Sequence, residues 1–418
     1  MRILIYAIDF APKIGGEETY LLLLAGGLTR RFSGAGSALI ERAPHTVIVA
    51  TRTSADGFDD ATLPFPVVRR PGLATLWRLL GEADVVHLSG PVLIPLLLGW
   101  LRGKPIVITH HMYHSACPSG SHFYEPRGVL CPGHFRARRY HECLRCVAAS
   151  SGWQESVVMV LATVVRRWLC RQAAVNISVS EYLSGRIALP RTETIYIGVP
   201  DSRASESPVM NVPRVRRSWT FAYVGRLAKE KGLPVLLEAV KRLRQEGYDC
   251  YLKCIGDGPA RPFLEAQVAS LALQQQVRFL GFLQGEALHT ATADVTALVM
   301  PSVCEETAGV AAVEQMMRGG LVIASDVGGL GEIVDNAGFK FRPGHVDDLT
   351  SCLRIAMNKP AQVIDMVSKA RKRAVKLFGQ ERMVEEHHKL YENLLCPKTA
   401  AIVRLEGASG CDERKSVE

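Results

Sequence analysis

Short apolar runs rich in β-branched residues recur along this chain and alternate with longer helical patterns. In the first half the runs fall at residues 3–8, 46–51, 85–88, 106–109, 175–179 and 194–197. In the second half they fall at residues 221–224, 251–255, 277–280, 297–300 and 321–324. Strands buried on both faces of a parallel sheet have this continuous apolar character, because helices cover both faces. The alternation therefore predicts an α/β protein with two doubly wound units.

A stretch rich in proline and serine, residues 200–213, separates the two sets of strands. Its composition is typical of a linker, so we expect a first domain at residues 1–199 and a second at 214–379. The last helical pattern, at 380–396, is expected to pack back toward the first domain. The polar segment 397–418 is expected to be a flexible tail. Ligands bind beyond the carboxyl ends of such strands, so two facing domains would enclose a cleft.

The ends and the cysteines of the chain bear on the compartment. The amino terminus moves directly into a strand pattern without a charged leader, and no run of 18 apolar residues occurs. The 11 cysteines are an odd number in a chain that is large enough to fold without disulfides, which favours reduced thiols. We therefore expect a cytoplasmic protein.

The formal charge of +9 is concentrated in the first half, where residues 1–200 hold 21 Lys and Arg against 14 Asp and Glu. We find no basic helix interleaved with aromatic residues, so no nucleic-acid partner is expected. An anionic membrane surface or a phosphate-bearing acceptor fits the scattered basic pairs, and a plain solvated surface fits them as well. The helical pattern at 153–169, with tryptophans beside cations, could lie in a headgroup layer or pack within the domain.

Two acidic residues lie close to the end of an apolar run in the second half. Glu306 follows the run 297–300 in a loop, and Glu314 comes eight positions later. We expect a helix to start near Thr307 or Ala308, with Glu314 about two turns in. The free N–H groups of such a helix favour a phosphate, and each carboxylate can accept hydrogen bonds from sugar hydroxyls. Solvated acids near a helix start are the plain alternative.

Cations and glycines follow two other apolar runs. Arg226 and Lys231, within the stretch GRLAKEKG, come directly after the run 221–224, where they could neutralise a diphosphate leaving group. Gly15 and Gly16 follow the first run and precede a helical pattern, so the backbone there can approach a phosphate closely.

The order and spacing of these motifs resemble family 4 of the retaining glycosyltransferases with the GT-B fold. The resemblance covers roughly residues 1–396 and is most specific over 219–345, which include IGDGP, FLG, PS and SDVGG in the expected order. It implies two Rossmann-like domains that face each other across a cleft. Met112, Ile197, Thr307 and Ala308 depart from the family pattern.

The same resemblance implies roles for individual residues. Arg226 and Lys231 would contact the donor diphosphate, Glu306 the transferred sugar and Glu314 the nucleotide ribose. In the first domain, Gly16 would line the diphosphate and acceptor side, and His111 would touch the donor sugar.

The implied activity is transfer of a hexose-type sugar from a UDP- or GDP-sugar to the hydroxyl of a sugar or a lipid-linked acceptor, with retention at the anomeric carbon and without a catalytic metal. It points to polysaccharide, glycolipid or other glycoconjugate biosynthesis. An epimerase or phosphorylase on the same scaffold, or a non-catalytic subunit that binds nucleotide sugars, is the alternative.

A cysteine-rich insertion spans residues 110–146. Cys143 and Cys146 have the spacing of half a zinc site, while Cys117 and Cys131 are further apart than in a standard zinc finger. Four thiolates around a structural zinc would order a long loop that has no core of its own. Free thiols, or a metal site that includes a neighbouring histidine, are the alternatives.

Overall fold

The protein is described here by a computed structural model that covers residues 1–30, 45–201 and 218–396. Most of the predicted linker 200–213 and the whole predicted tail 397–418 lie outside these residues. No helix within the three described ranges combines the length and apolar character needed to cross a membrane.

The first domain is built on a parallel sheet with the strand order β3-β2-β1-β4-β5-β8-β9. The strands of this domain are β1 (Arg2–Ala7), β2 (Thr46–Thr51), β3 (Val67–Arg69), β4 (Val85–Ser89), β5 (Ile106–His110), β6 (Phe123–Tyr124), β7 (Val129–Leu130), β8 (Val175–Ser178) and β9 (Thr192–Thr194). Its helices are α1 (Gly16–Thr29), α2 (Leu73–Glu82), α3 (Leu93–Leu101), α4 (Tyr140–Ser151), α5 (Trp153–Cys170) and α6 (Glu181–Ile187). The β6–β7 hairpin and the first part of α4, up to Cys146, lie in the cysteine-rich insertion.

The second domain has a parallel sheet with the order β12-β11-β10-β13-β14-β15. Its strands are β10 (Trp219–Val224), β11 (Cys250–Ile255), β12 (Val277–Gly281), β13 (Ala297–Met300), β14 (Leu321–Ser325) and β15 (Phe339–Phe341). The helices that follow are α7 (Leu233–Gln245), α8 (Arg261–Ser270), α9 (Gly285–Thr292), α10 (Val310–Met317), α11 (Gly328–Val334), α12 (Val346–Asn358), α13 (Pro360–Leu377) and α14 (Gln380–Leu395). The prediction of two doubly wound α/β units is confirmed.

The strand order reverses once in each sheet, and this reversal fixes where a ligand can bind. In the first sheet it lies between β1 and β4, and in the second between β10 and β13. The loops that leave the carboxyl ends of two such strands run to opposite faces of the sheet, which opens a crevice between them. The motifs of the sequence analysis follow β1, β5, β10 and β13, so they lie at this edge of the two sheets.

The predicted strands differ from the observed ones mainly at the sheet edges. The run 194–197 was predicted as a strand, but β9 covers Thr192–Thr194. The edge strands β3 and β15 have three residues each and were not predicted. Edge strands pair on one side only and so need little continuous apolar sequence, which is why the apolar pattern misses them.

The last helix, α14, packs against α1 of the first domain, although it follows the second domain in sequence. Its buried residues include His387 and Tyr391, and both reach into the first domain. The Tyr20 hydroxyl is 2.7 Å from His387 Nε2 and 3.0 Å from Thr109 Oγ1. Helix α14 is therefore held through side chains of α1 and β5.

The Met383 carbonyl determines which groups donate and which accept in this buried network. His387 Nδ1 is 2.7 Å from the Met383 carbonyl, which can only accept, so Nδ1 carries the proton and Nε2 accepts from Tyr20. Tyr20 then accepts from Thr109, and Thr109 accepts from His87 Nε2 at 2.9 Å. The other ring nitrogen of His87 is left to accept from the Tyr391 hydroxyl. These directions hold because burial lowers the pKa of both histidines, which keeps them neutral in the folded protein.

We expect His387 to make folding sensitive to acid. Burial lowers the pKa of His387 from 6.5 to about 4. Between these values the unfolded chain binds a proton that the folded chain excludes, so the stabilisation is complete above pH 6.5 and is lost as the pH falls toward 4. The test is urea unfolding of the wild type and of His387→Phe at pH 7 and at pH 5. The wild type should lose stability relative to the variant as the pH falls, by up to about 1.4 kcal/mol of unfolding free energy per pH unit. His289→Phe, at an exposed position, is the matched control, and a pH-independent difference for His387→Phe would contradict the assignment.

Candidate active site

The loop after β13 brings three polar side chains of the second domain together. Glu306 Oε1 is 2.6 Å from the Lys231 ammonium and 2.5 Å from the Ser302 hydroxyl. The Glu306 side chain is 12% exposed and that of Lys231 22% exposed, so the pair is largely shielded from water. Lys231 follows β10 and Glu306 follows β13, and these are the two strands at which the strand order reverses.

Both members of this pair are charged. Burial opposes ionisation of Glu306, but the Lys231 ammonium and the hydrogen bonds from Lys231 and Ser302 outweigh it and lower the pKa of the carboxyl. Burial likewise opposes protonation of Lys231, and the Glu306 carboxylate outweighs it and raises the pKa of the amine. Removing either partner would leave the other as an unpaired, shielded charge, which is strongly unfavourable.

Arg226 lies in the same loop as Lys231 but is more accessible. Its guanidinium pairs with Glu230, and its side chain is 63% exposed. It is near enough to Glu306 to contribute to the lowered pKa of that carboxyl. An exposed cation beside a shielded ion pair can turn toward an anionic ligand at little cost, because its partner Glu230 is half-buried and keeps contact with water after the cation leaves.

One glycine allows the loops after β10 and β13 to meet. Gly232 has a left-handed backbone (φ 68°), and a Cβ on it would lie 2.0 Å from the Pro301 carbonyl oxygen. Any other residue would push the two loops apart. The contact between Lys231 and Glu306 therefore depends on this glycine as well as on its own charges.

The helix that follows this loop starts later than predicted. Helix α10 begins at Val310, after Gly309 in a left-handed conformation (φ 84°), rather than near Thr307 or Ala308. The carbonyls of Glu306 and Thr307 accept hydrogen bonds from Gly329 and from the Ser180 hydroxyl instead of from a helical turn. These tertiary hydrogen bonds hold the segment before Gly309 in a non-helical conformation.

Glu314 lies in the second turn of α10 and faces a different space from Glu306. It lines a small pocket together with Val224 of β10, Leu298 of β13, Leu288 of α9 and Arg318 at the end of α10. Burial raises the pKa of Glu314, and Arg318 partly offsets this. The structure thus brings Lys231, Glu306 and Arg226 together, and has Glu314 on the adjacent helix.

The first domain contributes the start of α1 to the same region. Gly16 is the first residue of α1, and a Cβ on it would lie 3.2 Å from Val310 Cγ2 at the start of α10. The next residue, Glu17, accepts a hydrogen bond of 2.7 Å from Ser89 at the end of β4. Burial raises the pKa of Glu17 to about 7. The sequence motif included this carboxyl group, but no role could be read from it.

His111 follows β5 directly and is buried, with 7% of its surface exposed. Its ring stands edge-on to Tyr20 with centroids 4.7 Å apart, so the buried network beneath α14 supports it. Burial lowers the pKa of His111 to about 3, and its Nε2 has no hydrogen-bond partner among the described residues. A buried ring nitrogen without a partner is unfavourable unless a ligand or water satisfies it.

Glu305, next to Glu306, is a residue that the sequence analysis missed. It is 3% exposed and pairs with His122 at 3.0 Å and with Arg186, both of the first domain. The Tyr113 hydroxyl also donates to the Glu305 carbonyl at 3.2 Å. The two adjacent carboxylates therefore have different roles: Glu305 joins the two domains, and Glu306 pairs with Lys231. No motif in the sequence distinguishes them.

A second contact between the domains involves Glu332 of α11. Its carboxylate accepts hydrogen bonds from the backbone N–H groups of Glu181 and Tyr182 at 2.9 and 2.7 Å, and from the Tyr196 hydroxyl at 2.7 Å. The first two are free donors at the start of α6, which a negative charge stabilises. This contact holds α6 against the second domain.

The four cysteines of the insertion line one pocket, together with His134 and Glu142. All four are buried. The backbone N–H groups of Gly133 and His134 donate to the sulfur of Cys131, an interaction that favours a thiolate. Burial raises the pKa of Cys143 to about 12 and that of Cys146 to about 11.

The arrangement of these cysteines differs from the predicted four-thiolate site. Across the part of the chain that the structure describes, no three His, Cys, Asp or Glu side chains are arranged so that they could hold a metal ion. Burial raises the pKa values of Cys131, Cys143 and Cys146, so these three are neutral thiols, and a metal would have to deprotonate them.

Part of the chain, mostly in the second domain, is similar to a known family. Residues 211–373 match the model of the family described as glycosyl transferases group 1. The 2-deoxystreptamine glucosyltransferase of Streptomyces kanamyceticus is 32% identical over 235 residues, which are 52% of this chain and 60% of that protein. The chain thus spans less than two thirds of this relative.

Two solved structures extend the likeness in fold to both domains. Anabaena Alr3699/HepE, solved in complex with UDP and with UDP-glucose, superposes with a TM-score of 0.69 at 18% identity, over 94% of this chain and all of that one. WaaG, described as a glycosyltransferase of lipopolysaccharide biosynthesis, superposes with a TM-score of 0.65 at 15% identity, over 93% of this chain and 99% of that one. The predicted GT-B fold is confirmed.

The zinc site remains a prediction. If Cys117, Cys131, Cys143 and Cys146 take up zinc, protein purified under reducing conditions without added metal should contain about one zinc per chain, and Cys143→Ser/Cys146→Ser should lose both the metal and local order in the insertion. Cys250→Ser and Cys254→Ser, at buried positions in the second sheet, control for the loss of a buried thiol. Reduced protein without metal would identify the four residues as buried free thiols.

Proposed function

We propose that this chain, which carries a glycosyl transferases group 1 domain at residues 211–373, is an enzyme that transfers a sugar from a nucleoside-diphosphate donor to an acceptor hydroxyl. The observation that carries the proposal is the shielded Lys231–Glu306 pair, with Arg226 nearby, at the point where the strand order of the second sheet reverses. A positive and a negative group held together at such a point can bind a phosphate and a hydroxyl of one ligand.

The leaving group of the reaction is a nucleoside diphosphate, whose charge increases as the bond to the sugar breaks. Lys231 and Arg226 would stabilise this charge from the loop after β10, since both are cationic and Arg226 is free to turn. Lys231 is fixed in position by Glu306, so little reorganisation is needed when the charge develops. Preorganised contacts of this kind contribute more to the rate than contacts that must first form.

The transferred sugar would occupy the space between the two domains. Glu306 is ionised and can accept hydrogen bonds from sugar hydroxyls. His111 Nε2 is buried without a partner among the described residues, and a sugar hydroxyl is a group that could satisfy it. Its lowered pKa keeps the ring neutral, so it would bind the sugar without adding charge. Gly16, close to α10, would line the side of the diphosphate and acceptor.

The nucleotide ribose is assigned to Glu314, whose carboxylate lines the pocket beside β10. UDP is the first nucleotide to test, because HepE was solved in complex with UDP and with UDP-glucose. Retention at the anomeric carbon is part of the proposal, with the departing phosphate taking up the acceptor proton on the same face of the sugar. The acceptor would be a sugar or a lipid-linked molecule in glycoconjugate biosynthesis, reached from the cytoplasm.

The test begins with the donor. Thermal-shift measurements with UDP and GDP identify the nucleotide, since a ligand at 100 times its dissociation constant stabilises the folded protein by about 2.7 kcal/mol. Release of that nucleotide from its sugar conjugates is then measured with and without candidate acceptors. Acceptor-dependent release supports the transferase. Consumption without an acceptor indicates an epimerase, dependence on free phosphate indicates a phosphorylase, and binding without turnover indicates a non-catalytic subunit.

We expect Glu306→Gln to lower turnover by about two orders of magnitude, because one preorganised electrostatic contact is typically worth about 3 kcal/mol of barrier. The amide keeps the size of the side chain but leaves the Lys231 ammonium unpaired. The charge-neutral double variant Lys231→Met/Glu306→Gln removes that effect on stability and should be as inactive as the single variant or more so. Lys229→Ala, at an exposed lysine of the same loop, is the matched control.

For each variant, both the turnover number and the melting temperature are measured. Loss of turnover in the double variant with little change in melting temperature supports a role in the reaction. Wild-type turnover in the double variant would remove both residues from the proposed site.

A further inference from the structure

Three neighbouring helices of the first domain carry more than half of the large apolar side chains that are exposed in the described part of the chain. Of 23 large apolar side chains that are exposed within the described ranges, 13 lie on α2, α3 and α5. We call them the apolar face: Leu73, Trp77, Ile94, Leu97, Trp100, Leu101, Trp153, Val157, Val158, Leu161, Val164, Val165 and Trp168. Contiguous exposed apolar surface of this kind marks a site of contact with a protein or a membrane.

Helix α5 is apolar on its exposed side as well as on its buried side. Its exposed apolar side chains are valine, leucine and tryptophan and recur every three or four positions, while its buried residues are Ser156, Val160, Thr163, Leu169 and Cys170. A helix that only packed onto its own domain would turn its apolar residues toward the core and its polar residues to water. The outward apolar stripe of α5 is therefore available for a contact outside the domain.

The three helices form one continuous surface. Helix α2 packs on α3, and α3 packs on α5. The rings of Trp100 and Trp168 meet edge to face with centroids 5.5 Å apart, which joins α3 to α5. The Arg102 guanidinium lies 4.0 Å above the ring of Trp77, which joins α3 to α2. Four of the five tryptophans of the chain thus lie on the apolar face.

The charges next to the apolar face are predominantly positive. Residues 73–82, 93–104 and 153–171 contain six Arg and Lys against two Glu. Three of these cations, Lys104, Arg166 and Arg167, donate to backbone carbonyls of the protein. We call the other three the rim cations: Arg78 on α2, which pairs with Glu82, Arg102 above Trp77, and Arg171 after α5. Tryptophan beside arginine and lysine is typical of helices that lie in the headgroup layer of a membrane, where the ring is partly buried and the cations meet anionic lipids.

The apolar face also adjoins the loops of the candidate active site. From α5, Arg166 donates to the Pro91 carbonyl at 3.0 Å and to the His114 carbonyl at 3.2 Å. Pro91 follows β4, whose Ser89 holds Glu17, and His114 follows His111. A surface on which the apolar face rested would therefore lie close to the first-domain side of the cleft.

We propose that the apolar face docks the protein on an anionic lipid bilayer. The sequence indicated helix α5 alone, and the structure adds α2 and α3. A bilayer matches the face in chemistry, because it takes up aliphatic side chains without requiring hydrogen-bonding groups and supplies negative charge for the cations at the rim. One consequence, which rests on the proposed function, is that the acceptor is lipid-linked and reaches the cleft from the bilayer.

Flotation with vesicles tests the docking directly. The full chain should float with vesicles of phosphatidylcholine and phosphatidylglycerol at low salt, and recovery should fall with pure phosphatidylcholine or at high salt. Val158→Gln/Leu161→Gln removes two exposed side chains of α5 and should lower the partition coefficient about tenfold or more. Phe263→Gln, at a residue of similar exposure on the second domain, is the matched control and should float like the wild type.

The rim cations have a test of their own. Arg78→Gln/Arg171→Gln should weaken binding to anionic vesicles and reduce its salt dependence, whereas Arg278→Gln, an exposed arginine of the second domain, should change neither. Equal recovery in the unbound fraction with neutral and anionic vesicles would overturn the proposal. A dimer in sedimentation equilibrium that Val158→Gln/Leu161→Gln converts to monomer, without flotation, would assign the face to a second copy of the chain.

The tests of membrane docking and of the proposed function can fail independently of each other. Stabilisation by UDP or GDP without vesicle binding would overturn the docking and leave the transferase standing. Vesicle binding without any response to nucleotides or nucleotide sugars would support the docking and contradict the transferase.

Discussion

The ion pair between Lys231 and Glu306 is the interaction on which the account of this protein depends. It joins the two loops that leave the reversal point of the second sheet, and it exists only because Gly232 lets those loops touch. A shielded ion pair contributes little net stability compared with an apolar pair of the same volume. The pair presents one cation and one carboxylate at a fixed separation, next to the exposed cation of Arg226, and this arrangement suits ligand binding better than it suits stability.

The segment that carries Glu306 also joins the two domains. Glu305 pairs with His122 and Arg186 of the first domain, and the carbonyls of Glu306 and Thr307 accept hydrogen bonds from Gly329 and Ser180. Contacts between the domains and contacts within the site are therefore made by consecutive residues. A change in the separation of the domains would directly change the position of Glu306. On the opposite side, α14 and its buried histidine network support His111 through Tyr20. The Glu306 loop is thus held by residues of the first domain, and His111 of the first domain is supported by α14, which follows the second domain.

The sequence predicted what depends on local pattern. Continuous apolar runs predicted both sheets, and the positions of Arg226, Lys231 and Glu306 after β10 and β13 predicted that they would lie near one another. It failed where tertiary contacts decide the outcome. The start of α10 was misplaced because hydrogen bonds from Gly329 and Ser180 keep the preceding residues out of the helix. Glu305 could not be told from Glu306, since their difference lies in side chains of the insertion and α6. The apolar pattern of α5 was visible in the sequence, but only the fold shows that one apolar stripe of this helix faces solvent.

The central claim is that Lys231 and Glu306 form the donor site, and the most direct test is a crystal structure of the protein with UDP bound. The account predicts the diphosphate at the carboxyl ends of β10 and β13, with Lys231 and Arg226 within hydrogen-bonding distance of its oxygens and the ribose hydroxyls near Glu314. Glu306 would remain beside Lys231 and face the space that the sugar occupies. A diphosphate bound elsewhere, with the Lys231–Glu306 pair unchanged and distant from it, would contradict the account.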